Sequence, residues 1–123
     1  MKILIFEYIT GGGFNKQELP DALKREGSLM LQALLDNFTS LPDIDLLVML
    51  DHRLVDTVDT QHYETAIIDA SVHSHDEFVR LAQHCDAVWP IAPEFDGILQ
   101  SLCEAVEAAG KQLLSSPSRV VKV

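Results

Sequence analysis

Apolar runs and amphipathic stretches alternate along the chain. Residues 2–6, Lys-Ile-Leu-Ile-Phe, form a short, nearly unbroken apolar run, and Leu46-Leu47-Val48-Met49-Leu50 and Ala87-Val88-Trp89 have the same character. Runs that do not alternate with polar residues suit strands covered on both faces, as in the interior of a parallel sheet. Residues 65–68 and 112–114 are weaker versions, which makes five expected strands.

The stretches between them carry helical periodicity. Over residues 24–38 the apolar positions Met30, Leu31, Ala33, Leu34 and Phe38 fall near three-to-four spacing. Ser74 with Glu77 reads as a capping box, followed by Phe78, Leu81, Ala82 and Cys85 on one face. Residues 94–109 carry Ile98, Leu99, Leu102, Cys103 and Val106, and Gly110 supplies a left-handed stop. The segment HRLVDTVDTQHYET, residues 52–65, is too polar and broken to assign a helix. This order predicts an α/β fold with an open, mostly parallel five-stranded sheet and helices on both faces.

Composition narrows the class. With 123 residues and 47% hydrophobic positions, the chain suits one domain with a substantial core. Nineteen acidic against nine basic residues give a net charge of −10, with no Lys/Arg cluster to neutralise phosphates, so nucleic acid and anionic membranes are not expected partners. No run approaches the ~18 apolar residues of a membrane span, and a cytoplasmic location is expected. Cys85 and Cys103 lie within apolar helical patterns and read as small hydrophobes rather than as a disulfide. The domain is expected over residues 1–115, with 116–123 as a tail.

In such sheets ligands bind outside the carboxyl ends of the strands. That edge collects Glu7, Tyr8, Thr10 and Gly11-Gly12-Gly13 after the first strand and Asp51, His52 and Arg53 after the second. After the fourth come Pro90, Ala92, Pro93, Glu94 and Asp96. The glycines fit neither nucleotide motif: Lys16 stands where a dinucleotide fingerprint needs its third glycine, and Asn15-Lys16-Gln17 replaces the Gly-Lys-Ser/Thr of a P-loop. Residues 11–25 then read either as a flexible loop that closes over a ligand or another domain, or as a long connection using glycine for a tight turn. Two prolines in WPIAPEFDGIL stiffen the loop after the fourth strand and set Glu94 and Asp96 in the first turn of a helix, as dipole caps or as ligand contacts. His73 and His75, two apart with no further Cys/His pair at ligand spacing, do not make a metal site. A receiver-type signalling domain needs paired acids after the first strand, where Glu7 stands alone.

The segments MKILIFEYITGGGF, REGSLMLQALLDNF and WPIAPEFDGILQSLCEAVEAAGKQLLSSPS resemble the N-terminal domain of ATP-grasp carboxylate-amine ligases. Within that family they resemble the branch of tyramine-glutamate ligase and related carboligases of methanofuran-type cofactor synthesis. The resemblance implies a Rossmann-like pre-ATP-grasp domain followed by two domains that clamp ATP and magnesium. In such ligases ATP phosphorylates a carboxylate, an amine attacks the acyl phosphate, and the N-terminal domain lines the acceptor side. It implies a small amino-acid or amine substrate contacted by Glu7, Tyr8, Gly11, Gly12, Gly13, Pro93 and Glu94, with no catalytic residue, metal ligand or cofactor in this chain. ATP and Mg belong to a full-length ligase. The family's Asp-Lys pair and ATP-holding residues would follow the run LLSSPSRVVKV, so the chain is expected to be incompetent alone and to need a following ATP-grasp domain. The alternative is a free-standing, non-enzymatic Rossmann- or flavodoxin-like binding module, with a homodimer partner covering Val120, Val121 and Val123.

Overall fold

The computed structural model describes residues 1–39, 41, 43–92 and 97–114. The elements are β1 (Lys2–Glu7), α1 (Asp21–Phe38), β2 (Asp45–Asp51), a short 3-10 turn (His52–Leu54) and β3 (Glu64–Ile68). They continue as α2 (Ser74–Ala82), β4 (Ala87–Ile91), α3 (Ile98–Ala108) and β5 (Gln112–Leu113). The five strands form one sheet in the order β3-β2-β1-β4-β5, and every neighbouring pair is parallel. Ile3 lies opposite Leu46 on one side and Ala87 on the other, which fixes β1 at the centre. This is the Rossmann order 3-2-1-4-5, without a sixth strand among the described residues; a flavodoxin-like sheet would seat β3, not β4, beside β1.

The continuous apolar runs are buried on both faces because alternate residues point to opposite layers. Leu4 and Phe6 of β1 join Leu47, Met49, Val88, Phe78, Leu81, Leu102 and Val106 under α2 and α3. Ile3 and Ile5 join Leu46, Val48, Leu50, Leu31 and Leu35 under α1. Leu4 and Ile5 are fully buried, each contributing about 1.5–3 kcal/mol of transfer free energy. The β2 to β3 connection carries no α-helix. It sinks Leu54 and Val58 into the α1-side core and is tied to α1 by Asp59 N–H donating to Gln32 Oε1 at 2.8 Å and Tyr63 Oη donating to the Leu35 carbonyl at 2.9 Å.

Several local expectations shift. α1 begins directly after Pro20, three residues before the expected start, and its buried face is Gly27, Ser28, Leu31 and Leu35. Met30 is 42% exposed and Ala33 is exposed, so the expected stripe is out of phase by part of a turn. The capping box at Ser74 does not form, because Ser74 is already inside the helix. His73 is the cap, its Nδ1 accepting from Asp76 N–H at 3.4 Å, and Glu77 binds Arg80 through two hydrogen bonds of 2.8 and 2.6 Å. α3 spans Ile98–Ala108 after a left-handed Gly97; the expected start at Glu94, with Pro93 and Asp96, lies outside the described residues. Gly110 stops α3 as expected: it adopts φ 72°, with Gly110 N–H donating to Glu107 O and Lys111 N–H to Val106 O, a Schellman motif.

β4 runs through Pro90, two residues past the expected Trp89. Tyr8 N–H donates to Ile91 O on the β1 side and Leu114 N–H to Val88 O on the β5 side. By alternation the Pro90 nitrogen faces β5, beyond the last position that β5 pairs, so its missing N–H breaks no ladder bond. Among the described residues no helix is long and apolar enough to cross a membrane.

Candidate functional site

Strand order reverses between β1 and β4, since the chain leaves β1 toward β2 and β3 and returns to β4 on the other side. The crevice at the carboxyl ends of these two strands is where an open α/β sheet takes its ligand. Glu7, Tyr8, Ile91 and Ala92 border it, and residues 93–96 follow.

Glu7 reaches that edge but turns inward. It is 3% exposed; Oε2 accepts from Ile9 N–H at 3.1 Å, and Oε1 accepts from Thr10 N–H and Thr10 Oγ1, both at 2.8 Å. The carboxylate therefore closes the turn after β1. α1 presses on it through Gly27, where a Cβ would come within 2.7 Å of Glu7 Oε1. Tyr8 points to the other layer, half-buried, with its ring edge-on to Phe6 at 6.2 Å and to Phe14 at 5.9 Å.

The three glycines serve close packing. A Cβ at Gly11 would lie 2.6 Å from the Phe6 ring, at Gly12 2.5 Å from Ile68 Cγ2, and at Gly13 2.6 Å from the Tyr8 ring. Gly12 also holds φ 108°, a conformation that side chains rarely adopt. Gly11 N–H donates to Glu7 O at 2.7 Å and Gly13 N–H to Tyr8 O at 2.9 Å, so these donors are spent inside the chain. Two of the three glycine donors are thus turned toward the chain's own carbonyls.

Of the two readings of residues 11–25, the packing matches the connection that uses glycine for a tight turn. Residues 21–25 belong to α1, and residues 8–17 form a strap tied across the carboxyl ends of β2 and β3. Asn15, 7% exposed, donates through Nδ2 to Asp69 O at 2.7 Å and Val72 O at 2.6 Å. Lys16 Nζ donates to Ala70 O at 2.8 Å, and Asp51 N–H to Thr10 O at 2.6 Å. Arg53 grips from the β2 side, with Nη1 on Gln17 O at 2.9 Å and Nη2 on Phe14 O at 2.8 Å.

Arg53 is itself anchored. Its Nε and Nη2 donate to Asp51 Oδ1 and Oδ2 at 2.9 and 2.7 Å, and its backbone N–H adds a third bond of 2.9 Å. The Asp51 side chain is fully buried and that of Arg53 31% exposed. Burial alone would push the Asp51 carboxyl up, but the hydrogen bonds and charge of Arg53 outweigh it and hold the group below the ordinary aspartate range. His52, between them, is exposed.

Of the seven residues singled out in the sequence, the fold brings Glu7, Tyr8, Gly11, Gly12 and Gly13 together at the edge, while Pro93 and Glu94 lie outside the described residues. Sequence reasoning missed Asn15, Gly27 and the latch role of Asp51 and Arg53. A mid-helix glycine at 27 was the one available signal of a close approach. Among the described residues no group of three His, Cys, Asp or Glu side chains could hold a metal. No phosphoryl step is assigned to the described residues. A groove of about 550 Å³ opens at the opposite, amino edge, bordered by Lys2, Phe38, His62, Tyr63 and Glu64. It lies away from the strand ends that carry ligands in this architecture.

Comparison with known proteins agrees with this geometry. Along its whole length the chain superposes on part of a crystal structure assigned to the ATP-grasp superfamily, from Archaeoglobus fulgidus, with a TM-score of 0.69 and 24% identity. The match spans 35% of that chain, so the sequence covers about a third of its solved relative. No curated protein matches. Residues 44–121 match the family described as the pre ATP-grasp 3 domain. This match takes in β2 through β5, including β4 on one side of the crevice and the Asp51–Arg53 latch but not β1, and on it the chain belongs to the pre-ATP-grasp domain family.

Proposed function

We propose that this domain is the substrate-side N-terminal part of an ATP-grasp ligase, one that joins a carboxylate to an amine through an acyl phosphate. The observation that carries the reading is the use of the loop donors: Gly11 and Gly13 give their N–H groups to Glu7 and Tyr8 carbonyls rather than to a phosphate. The nucleotide and its magnesium then belong to other parts of such a ligase, and this domain offers the crevice between β1 and β4. In the proposal Tyr8 and the segment containing Pro93 and Glu94 contact the acceptor, a small amino acid or amine. Glu7 and the three glycines shape the loop from beneath.

Calorimetric titration with Mg-ATP and separately with glutamate, tyrosine and tyramine tests this reading, with amide chemical-shift mapping of each addition. The expected outcome is no heat from Mg-ATP and shifts at Tyr8, Ala92 and Gly97 with an amino acid or amine. Saturable Mg-ATP binding would overturn it, and shifts confined to the groove near His62 and Tyr63 would move the site to the amino edge. Tyramine binding together with glutamate binding is the pattern that the tyramine-glutamate branch requires. A second reading, a free-standing dimerising module, is favoured by Leu29 and Met30, 68% and 42% exposed on the outer face of α1. A stable dimer in light scattering would support that reading.

A further inference from the structure

We infer that Arg53 is a positioning residue for Tyr8, acting through Phe14 from outside the crevice. This rests on the proposed site between β1 and β4. The guanidinium is fixed by the buried Asp51 carboxylate through two side-chain hydrogen bonds, and its remaining donors hold the carbonyls of Phe14 and Gln17. Holding the Phe14 carbonyl fixes the backbone that carries the Phe14 ring, which stands edge-on to Tyr8 at 5.9 Å. Tyr8 packs in turn against Phe6 and donates its N–H to Ile91 of β4, so its placement sets one wall of the crevice. A planar fork can serve a carboxylate and two carbonyls at once, and a lysine ammonium cannot reproduce that geometry.

Tyr8 and Tyr63 are the two tyrosines of the sequence, so fluorotyrosine labelling gives two 19F signals. Tyr63 lies across the molecule, bonded to Leu35 O, and serves as an internal control. Arg53→Ala is expected to move the Tyr8 signal and leave that of Tyr63 in place. Losing charge-assisted bonds should also speed amide exchange at Asn15 and Gln17 by about ten- to hundredfold. Arg53→Lys is expected to restore part of both effects. Phe14→Leu keeps the latch but removes the ring, so it should move the Tyr8 signal while the amides stay protected; it decides the matter if Arg53→Ala fails to fold. An unmoved Tyr8 signal in Phe14→Leu, or in a folded Arg53→Ala whose strap amides exchange freely, would overturn the inference. Neither readout needs a ligand, so a failed substrate titration leaves this result standing.

Discussion

Gly27→Ala sets helix propensity against tertiary packing, and the two predict opposite signs. Gly27 sits inside α1, where alanine is favoured over glycine by about 1 kcal/mol. A Cβ there would meet Glu7 Oε1 at 2.7 Å, Ile9 Cβ at 3.2 Å and Thr10 Cγ2 at 3.2 Å. A flexible glutamate could swing aside cheaply, but Glu7 is buried and its carboxylate accepts three hydrogen bonds. Losing one charge-assisted bond costs about 1.5–3 kcal/mol, and crowding Ile9 and Thr10 adds about 1 kcal/mol. Net of the propensity gain, the variant should lose about 1.5–3 kcal/mol, a fall in Tm of about 6–12 °C for a chain of this length. Urea and thermal unfolding measure it, and a double-mutant cycle with Glu7→Ala identifies the partner: without the carboxylate, Gly27→Ala should become near neutral. A Gly27→Ala protein as stable as the parent would refute the account of Glu7 as a clamped carboxylate.

Gly12→Ala should cost about 3 kcal/mol or more, combining an unfavourable backbone with the Ile68 contact, while Gly110→Ala, with positive φ but nothing within 4 Å of its Cβ, should cost about 1 kcal/mol; equal losses in urea unfolding would remove the packing argument. Asn15→Ala should destabilise by about 1–3 kcal/mol, since the Asp69 and Val72 carbonyls lose their donor, and a change within error would show the strap to be held elsewhere. Asp51→Asn should cost about 1–3 kcal/mol near neutral pH, a figure reduced for the partly exposed Arg53. Because the folded Asp51 carboxyl is held below its unfolded value of about 4, its contribution is full above that value and is lost as pH falls through the lowered folded one. The parent's urea midpoint should therefore converge on that of Asp51→Asn at acid pH, and parallel curves down to pH 3 would contradict the latch.

The sequence by itself determined the class and layering of this protein. Unbroken apolar runs at Ile3, Leu46 and Val88 required strands covered on both faces, and periodicity at Phe78, Leu81 and Ala82 assigned α2 its buried face, although Cys85, expected on the same helix, lies buried beyond its end; these signals depend on neighbours a few residues away. The glycine at 110 was legible for the same reason: a helix stop is a local backbone event. The α1 stripe was misread because its buried face is set by what it packs against, and Gly27 and Ser28 turn inward to admit the Glu7 turn. The sequence brought Glu7, Tyr8 and the glycines to one edge without saying which of them faces outward. Only the tertiary structure decided that Glu7 closes its own turn, that the glycines make room for Ile68 and the Phe6 and Tyr8 rings, and that Arg53 holds Phe14 and Gln17 from 39 and 36 residues away. Such contacts join positions whose separation along the chain carries no periodic signal, and they exist only once parallel pairing has set the ends of β1, β2 and β3 side by side.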